Sequence, residues 1–179
     1  EEGIDCFEEP VVSLDLRELA RVAAASHVPL AYGEHSYNIF DFRELITRNI
    51  ARVLNPDASI CGGITNAVNV SKLAQTFGFR VIPHCGGLTA IGLAANLHAA
   101  AAMPEMDLFE FDSREFQPLR DELPTEPIFA VDRIVDGYMS LPDKPGLGLD
   151  INESVFDKYP YQKDKQIAQA FYPYAIPHI

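Results

Sequence analysis

Long apolar runs are missing from this 179-residue sequence, and none approaches the roughly 20 residues needed to span a bilayer. Basic residues are also few, because 14 Lys and Arg stand against 26 Asp and Glu and leave a net charge of -12. Such a charge repels phosphate backbones and anionic membrane surfaces. We therefore expect neither a nucleic-acid partner nor a membrane partner.

Cysteine is scarce as well, and Cys6, Cys61 and Cys85 are widely spaced with no CxxC pair among them. This spacing argues against a disulfide framework and against a zinc knuckle. The simplest compartment for such a protein is a reducing, cytoplasmic one. The opening EEGIDCFEEP is neither a signal peptide nor an initiator methionine followed by a basic region. We expect the sequence to be an internal piece of a longer chain.

The sequence does contain a repeated unit of short apolar strand, polar tip and amphipathic helix. Apolar residues make up 47% and charged residues 22%, which is ordinary for a globular domain with a sizeable core. Polar tips recur every 23 to 27 residues, and this near-constant interval indicates one supersecondary unit used repeatedly. The tips are Glu8, Glu34, Asp57, His84 and Glu110.

The strands and helices of this repeat can be assigned from hydrophobic periodicity. Short apolar stretches predict strands over 4–7, 28–31, 51–54, 79–82 and 108–111. Apolar residues at helical spacing predict helices over 13–25 with a possible Ser13 cap, over 40–47, from about Thr65 to Phe77, and over 88–102.

Parallel strands joined by helices suggest a (β/α) barrel or an open doubly wound sheet. The barrel is favoured, because its active site is built from the C-terminal ends of several strands and each strand end here carries an acid or an imidazole. A complete barrel needs about 250 residues. The roughly five βα units therefore predict an α/β fold that is about half of a TIM-like barrel.

Three segments are expected in this chain. Residues 1–118 are predicted to form the barrel half, followed by a charged, proline-bearing loop. Residues 119–160 are predicted to be a post-barrel segment with an antiparallel pair over 128–136 and 138–141, around an Asp-Gly turn. Residues 161–179, rich in proline and tyrosine, are predicted to be an irregular tail.

Two of the tips are candidate metal ligands. Carboxylates from adjacent parallel strands converge on a barrel axis, and such oxygen ligands suit Mg²⁺. Glu8 and Glu34 recur at the same phase of the repeat, which favours a magnesium site over the alternative of two solvated loop acids.

The next tips suggest acid/base chemistry. A single histidine at a strand end is more often structural, but Asp57 lies on the strand next to that of His84 and can fix its tautomer and raise its basicity. The alternative for Asp57 is a turn residue after Pro56. Glu110, if protonated, could donate to a substrate oxygen, the alternative being a salt-bridged structural acid. His35 could face the site or the loop above it.

Several motifs in this order resemble a known family. They are FEEP at 7–10, GEH at 33–35, PDASICGGIT at 56–65, VIPH at 81–84, the Glu110 strand and PDKPGLG at 142–148. Together they resemble the C-terminal half of the enolase superfamily, of the mandelate racemase/muconate lactonizing enzyme type, over roughly residues 4–159.

The resemblance implies a function for each tip. Glu8 and Glu34 would ligate a catalytic Mg²⁺, Asp57 and His84 would form the acid/base dyad, and Glu110 would help bind the substrate carboxylate or its enolate. The implied chemistry is abstraction of the proton next to a carboxylate, with magnesium stabilising the enediolate. Relatives with a GEH motif and an Asp/His dyad are often acid-sugar dehydratases, carbon–oxygen lyases that turn aldonates or aldarates into 2-keto-3-deoxy acids. That class is our prediction, with a racemase or epimerase, or a non-catalytic remnant of the fold, as alternatives.

The family's pattern also contains parts that this sequence lacks. A capping domain, a lysine motif and a first metal-ligand acid would all lie upstream of Glu1. We expect the chain to require that N-terminal half, on the same or another polypeptide, and to be inactive alone. The segment after the barrel is expected to pack on the capping domain, and the protein is expected to be a homo-oligomer acting on a small carboxylate.

Overall fold

The computed structural model describes residues 3–11, 15–104, 106 and 108–161, and these form a parallel sheet with helices on one face. The four strands pair in chain order, all parallel, so each of the three helices between them is a crossover from one strand to its neighbour. The strands are β1 (Phe7–Glu8), β2 (Leu30–Tyr32), β3 (Val53–Leu54) and β4 (Arg80–Val81). The helices are α1 (Leu16–Ala25), α2 (Ile39–Thr47), α3 (Ile64–Thr76), α4 (Ala90–Ala101), α5 (Pro118–Asp121) and α6 (Val155–Lys158), with a 3₁₀ turn at Val131–Arg133.

Several helices begin at a residue whose side chain caps the first turn. Asn38 accepts from the backbone of Asp41 at the start of α2, and the Asp41 carboxylate accepts from the Asn38 backbone, which is a complete capping box. Asp15 caps α1 by accepting from the Arg17 backbone. The predicted Ser13 cap falls at 12–14, which lie outside the described residues.

The two faces of the sheet bury different side chains. On the outer face Tyr32 and Leu54 pack under the helices with Phe42, in the largest hydrophobic cluster. On the inner face Ala31 and Val53 form a small cluster with Ile82 and Cys6. This alternation follows from the period of two along each strand, and the inner face is the one that would line a barrel.

Helix α4 lies close to the end of β3 because the side chains on its buried face are small. Most of its buried residues are alanines, and Gly92 faces the turn after β3 so closely that a Cβ would lie 2.8 Å from Ser59 Oγ. No helix among the described residues is long and apolar enough to cross a membrane.

The predicted fifth strand over 108–111 is wrong. This segment has no strand structure, and one long hydrogen bond of 3.4 Å, from Glu110 N–H to the Pro83 carbonyl, joins it to the end of β4. Pro83 has no N–H to donate, so a continuous ladder cannot form at this point. The segment still carries Glu110 to the same edge as the other strand ends.

The region after residue 118 also departs from the predictions. The loop predicted after Pro118 begins with helix α5, and the predicted antiparallel pair shrinks to one bridge between Val135 and Tyr138. The Asp-Gly turn is present, since Asp136 and Gly137 both have positive φ. A 3₁₀ turn replaces the long first strand.

The post-barrel segment packs on α4. Phe129 is fully buried, and it clusters with Leu93 and Leu97 of that helix and with the half-buried Leu149. Packing on a capping domain stays a prediction, as do the segment boundaries, and the predicted tail lies outside the described residues apart from Tyr161.

Candidate active site

The four strands place four of the five predicted tips around one mouth, and the segment over 108–111 brings the fifth, Glu110, to the same edge. Glu8 pairs in register with Ala31, which belongs to the inner cluster, so its side chain lies on the inner face of the sheet. Glu34, Asp57 and His84 follow the ends of β2, β3 and β4 by two or three residues. Each strand therefore delivers one titratable group to the same edge.

The predicted dyad is present as a direct contact. His84 Nδ1 lies 3.1 Å from Asp57 Oδ2, with side-chain exposures of 13% and 0%. The other Asp57 oxygen accepts from the Ser59 backbone at 2.7 Å and from the Asn96 amide at 2.8 Å. The carboxylate is therefore held at both oxygens, which fits a residue that orients an imidazole.

The second nitrogen of His84 has two neighbours of opposite character. The Gly86 N–H donates to Nε2 at 3.0 Å, and Glu34 Oε2 lies 3.2 Å from the same nitrogen. Neutral His84 with its proton on Nδ1 satisfies the first contact, and protonated His84 satisfies the second. A Cβ at position 86 would lie 2.6 Å from Nε2, so only glycine permits this approach. The surroundings thus offer a partner to both protonation states of Nε2.

Burial and hydrogen bonding act in opposite directions on the dyad. Burial lowers the pKa of His84, but the hydrogen bond to Asp57 and the negative charges of Glu34 and Glu110 outweigh it, and the net pKa is raised. Burial raises the pKa of Asp57, but the hydrogen bonds from His84, Asn96 and Ser59 outweigh it, and the net pKa is lowered. The pair therefore favours an ionised Asp57 beside a basic imidazole.

Glu110 sits beside the dyad in a setting that favours its protonated form. The Cys85 N–H donates to Oε2 at 3.0 Å and the Asn55 amide to Oε1 at 3.3 Å. Burial and a hydrogen bond with the Glu8 carboxyl raise the pKa of Glu110 to about 7, although the hydrogen bond from the Cys85 N–H opposes this. A substantial fraction is then neutral near pH 7, as its predicted role as a hydrogen-bond donor requires.

Glu9 is a site residue that sequence reasoning missed. It has a positive φ of 39°, which breaks the alternation after Glu8, and its carboxylate accepts from the Gly33 N–H at 3.3 Å. Burial and the nearby charges of Glu34 and Glu8 raise the pKa of Glu9 to about 8, although the Gly33 hydrogen bond opposes this. The available signal was the second acid of the FEEP motif.

Two buried asparagines were also missed. Asn55, 2% exposed, donates to the Ile82 carbonyl at 3.0 Å and to Glu110, while its own oxygen is the buried side-chain atom of the described residues without a partner. Asn96 on α4, fully buried, holds Asp57. His35, the weakest prediction, lies 3.2 Å from Glu34 and also lines a cavity of about 260 Å³ together with Tyr37.

The carboxylates suit part of a magnesium site. Glu8 and Glu34 offer the hard oxygen donors that Mg²⁺ prefers, and the charges crowded around Glu9 are the kind that a cation would neutralise. Within the described part of the chain, no group of three or more His, Cys, Asp or Glu side chains is arranged to hold a metal ion. The residues present therefore fit magnesium as an incomplete ligand set.

Comparison with known proteins decides the family. The family model described as enolase C-terminal domain-like matches residues 1–155. The chain belongs to the enolase C-terminal domain-like family. The family resemblance and the α/β barrel-half fold predicted from the sequence are thereby confirmed.

Individual members of the enolase superfamily extend this match. The chain is 35% identical over 165 residues to a D-galactarolactone cycloisomerase from Agrobacterium fabrum, covering 88% of this chain and 42% of that relative. It is also 35% identical over 163 residues to an arabinonate dehydratase from Saccharolobus solfataricus, covering 88% and 40%. A solved mandelate racemase/muconate lactonizing enzyme from Sulfitobacter sp. superposes with a TM-score of 0.78 at 27% identity, covering 91% and 39%. The chain spans about 40% of the length of these relatives.

Proposed function

We propose that this chain is the part of a sugar-acid dehydratase that carries its general base. The observation that carries the proposal is the 3.1 Å contact between His84 and Asp57 at a mouth shared with Glu34 and Glu110. The arabinonate dehydratase relative supports a sugar acid as the substrate. Activity, in this proposal, requires the upstream half that the relatives possess.

His84 performs the proton steps. With the Nδ1 proton held by Asp57, and once the substrate displaces the Gly86 N–H from Nε2, the lone pair on Nε2 takes the proton from the carbon next to the substrate carboxylate. The electron pair of the broken C–H bond forms an enediolate, and the protonated Nε2 then lies 3.2 Å from Glu34. His84 returns its proton to the departing hydroxyl, so water leaves and a 2-keto-3-deoxy acid remains after tautomerisation.

The acids around His84 stabilise the negative charge that develops on the substrate, either directly or by holding a cation. Neutral Glu110 donates a hydrogen bond to a substrate oxygen that becomes more negative as the proton is removed. Glu8 and Glu34 would hold magnesium together with a donor from outside this chain. When bound, magnesium supplies Lewis-acid polarisation of the substrate carboxylate.

A second candidate uses the same dyad. The cycloisomerase relative is as similar as the dehydratase relative, at 35% identity each, which favours an isomerase as the alternative. A racemase or epimerase belongs to this alternative, with an upstream base on the opposite face of the substrate. A homo-oligomer and a cytoplasmic location remain predictions.

The test uses the complete polypeptide that contains this chain, with magnesium and a panel of aldonic and aldaric acids in D₂O. We expect one or more acids to yield a 2-keto-3-deoxy product, and His84→Asn to lower kcat/KM by roughly 10²–10⁴-fold because the base is gone. His27→Asn, at an exposed histidine that precedes β2 and so lies at the opposite end of that strand from Glu34, is the matched control and should retain activity.

Other outcomes separate the alternatives. Deuterium entering unchanged or inverted substrate without loss of water would assign a racemase or epimerase, and ring opening of an aldarolactone, added to the panel for this purpose, would assign a cycloisomerase. Full activity of His84→Asn would overturn the assignment of the base.

A further inference from the structure

Helix α4 carries a buried polar residue in an otherwise apolar face. Asn96 has no exposed surface and lies among buried alanines and leucines of the same helix. Burying an amide is unfavourable unless its hydrogen bonds are made. A leucine or alanine would pack at this position without that requirement, so the hydrogen bonds of Asn96 need an explanation.

Those hydrogen bonds converge on the residue that orients the base. The Asn96 amide donates to Asp57 Oδ1 at 2.8 Å, and its oxygen accepts from the Ala58 N–H at 2.7 Å. The second amide proton points to the Gly92 carbonyl at 3.2 Å. One side chain therefore holds both the carboxylate of Asp57 and the peptide that follows it.

This arrangement divides the two oxygens of Asp57 between different tasks. Oδ1 is occupied by Asn96 and by the Ser59 N–H, which leaves Oδ2 to face His84 Nδ1. Rotation of the carboxylate would break both contacts at Oδ1. The imidazole therefore meets an acceptor of fixed direction, which keeps its proton on Nδ1 and the lone pair on Nε2.

We propose that Asn96 is a positioning residue that sets the orientation of Asp57 and, through it, the tautomer of His84. The inference rests on the proposed function for its catalytic consequence, but its structural part concerns the dyad alone. Asn96 does not touch the substrate mouth, since it is fully buried. Its effect on turnover is transmitted through Asp57.

Asn66 provides a matched control on the neighbouring helix. It also uses a side-chain amide to hold the turn after β3, but it donates to a backbone carbonyl, that of Cys61 at 3.0 Å, and not to a carboxylate of the dyad. Replacing either asparagine with alanine removes an amide anchor of the same turn and suits a helix. Only Asn96→Ala removes a donor to Asp57.

The experiment compares Asn96→Ala and Asn66→Ala in the complete polypeptide. We expect Asn96→Ala to lower kcat by about 10–100-fold, the usual size for loss of an outer hydrogen-bond partner, with KM changed by less than about threefold. Asn66→Ala should lower the thermal stability while leaving kcat within about twofold. Wild-type kcat in Asn96→Ala would overturn the inference.

The tautomer of His84 is a readout that does not depend on the substrate. In ¹⁵N-histidine NMR at alkaline pH, with His84 assigned from the spectrum of His84→Asn, wild type and Asn66→Ala should show the Nδ1–H form. Asn96→Ala should show a mixture with the Nε2–H form. If no substrate is dehydrated but this shift occurs, the proposed function fails and the positioning role stands; an unchanged tautomer overturns the role.

A second variant covers the case in which Asn96→Ala does not fold. Asn96→Ser keeps a hydroxyl that can accept from nearby backbone N–H groups but is shorter than the amide. We expect the same loss in kcat and the same mixture of tautomers. Retention of the wild-type values in Asn96→Ser would contradict the inference.

Discussion

The dyad of Asp57 and His84 differs in construction from the other acids at the same mouth. These acids, Glu8, Glu9, Glu34 and Glu110, form what we call the carboxylate edge. The Asp57 side chain is fully buried and accepts from His84, Ser59 and Asn96, so every group that fixes it belongs to this chain. Glu8 lies in β1, which pairs only with β2 among the described residues, and Glu8 is exposed. The contacts of the His84–Asp57 pair are therefore supplied within this chain, whereas the proposed metal ligand Glu8 lies at the edge of the described sheet.

Electrostatics separates the two regions in the same way. The pKa of Asp57 lies below its ordinary value because hydrogen-bond donors outweigh burial. The pKa of Glu9 is raised to about 8 by burial and by neighbouring acids, and that of Glu110 to about 7 by burial and Glu8. The dyad has its compensating partners, and the carboxylate edge has an excess of negative charge that a cation would relieve.

The largest expected effect is on magnesium binding at the carboxylate edge. Loss of a residue that only hydrogen-bonds a metal ligand weakens metal binding by about 10–100-fold. We expect Glu34→Gln, which removes a proposed ligand itself, to weaken Mg²⁺ binding to the complete polypeptide by more than this. Isothermal titration calorimetry measures this. Asp57→Asn should leave the affinity within about threefold, and an equal loss in both variants would erase the distinction between the two regions.

The next effect is on the pH dependence of stability at the dyad. A carboxyl group whose folded pKa is lowered stabilises the fold above its unfolded pKa, and this stability is lost as pH falls through the folded pKa. Asp57→Asn should therefore lower Tm at pH 7, with the difference shrinking below about pH 4. Thermal unfolding of the complete polypeptide across pH 3 to 8 measures this, with the exposed Asp143→Asn as the control.

An effect of the opposite sign is expected at the carboxylate edge. The folded pKa of Glu9 is raised to about 8, so its contribution to stability falls as pH rises from the unfolded value of about 4.5 towards 8. With a chelator present, Glu9→Gln should match wild type near pH 4 and become more stable than wild type by pH 8. A lower Tm of Glu9→Gln at pH 8 would show that the negative charge is compensated there.

The strand ends could be predicted from sequence because they depend on local patterns. Apolar stretches followed by polar residues locate Glu34, Asp57 and His84, and parallel strands bring their ends to one edge. The repeat interval does the same for Glu110, even though its segment is not a strand. Periodicity therefore predicted where these residues lie better than it predicted the hydrogen-bonding of each strand.

The remaining features depend on contacts that no local pattern encodes. Asn96 reaches Asp57 from a helix 39 residues further along the chain. Glu9 turns to Gly33 because of a positive φ that strand alternation does not predict. The predicted fifth strand over 108–111 does not form because Pro83, which lies opposite it at the end of β4, has no N–H to donate to it.

The bare face of Gly92 limits how the reactive geometry could be altered. Because a methyl group at this position would lie 2.8 Å from Ser59 Oγ, a side chain here would require either rotation of the Ser59 hydroxyl or movement of α4 away from the turn that carries Asp57. Asn96, one turn further along, would move with the helix. Gly92, which has no side chain, thus helps to set the distance from the Asn96 amide to Asp57, and efforts to redesign the reaction would need to keep this glycine.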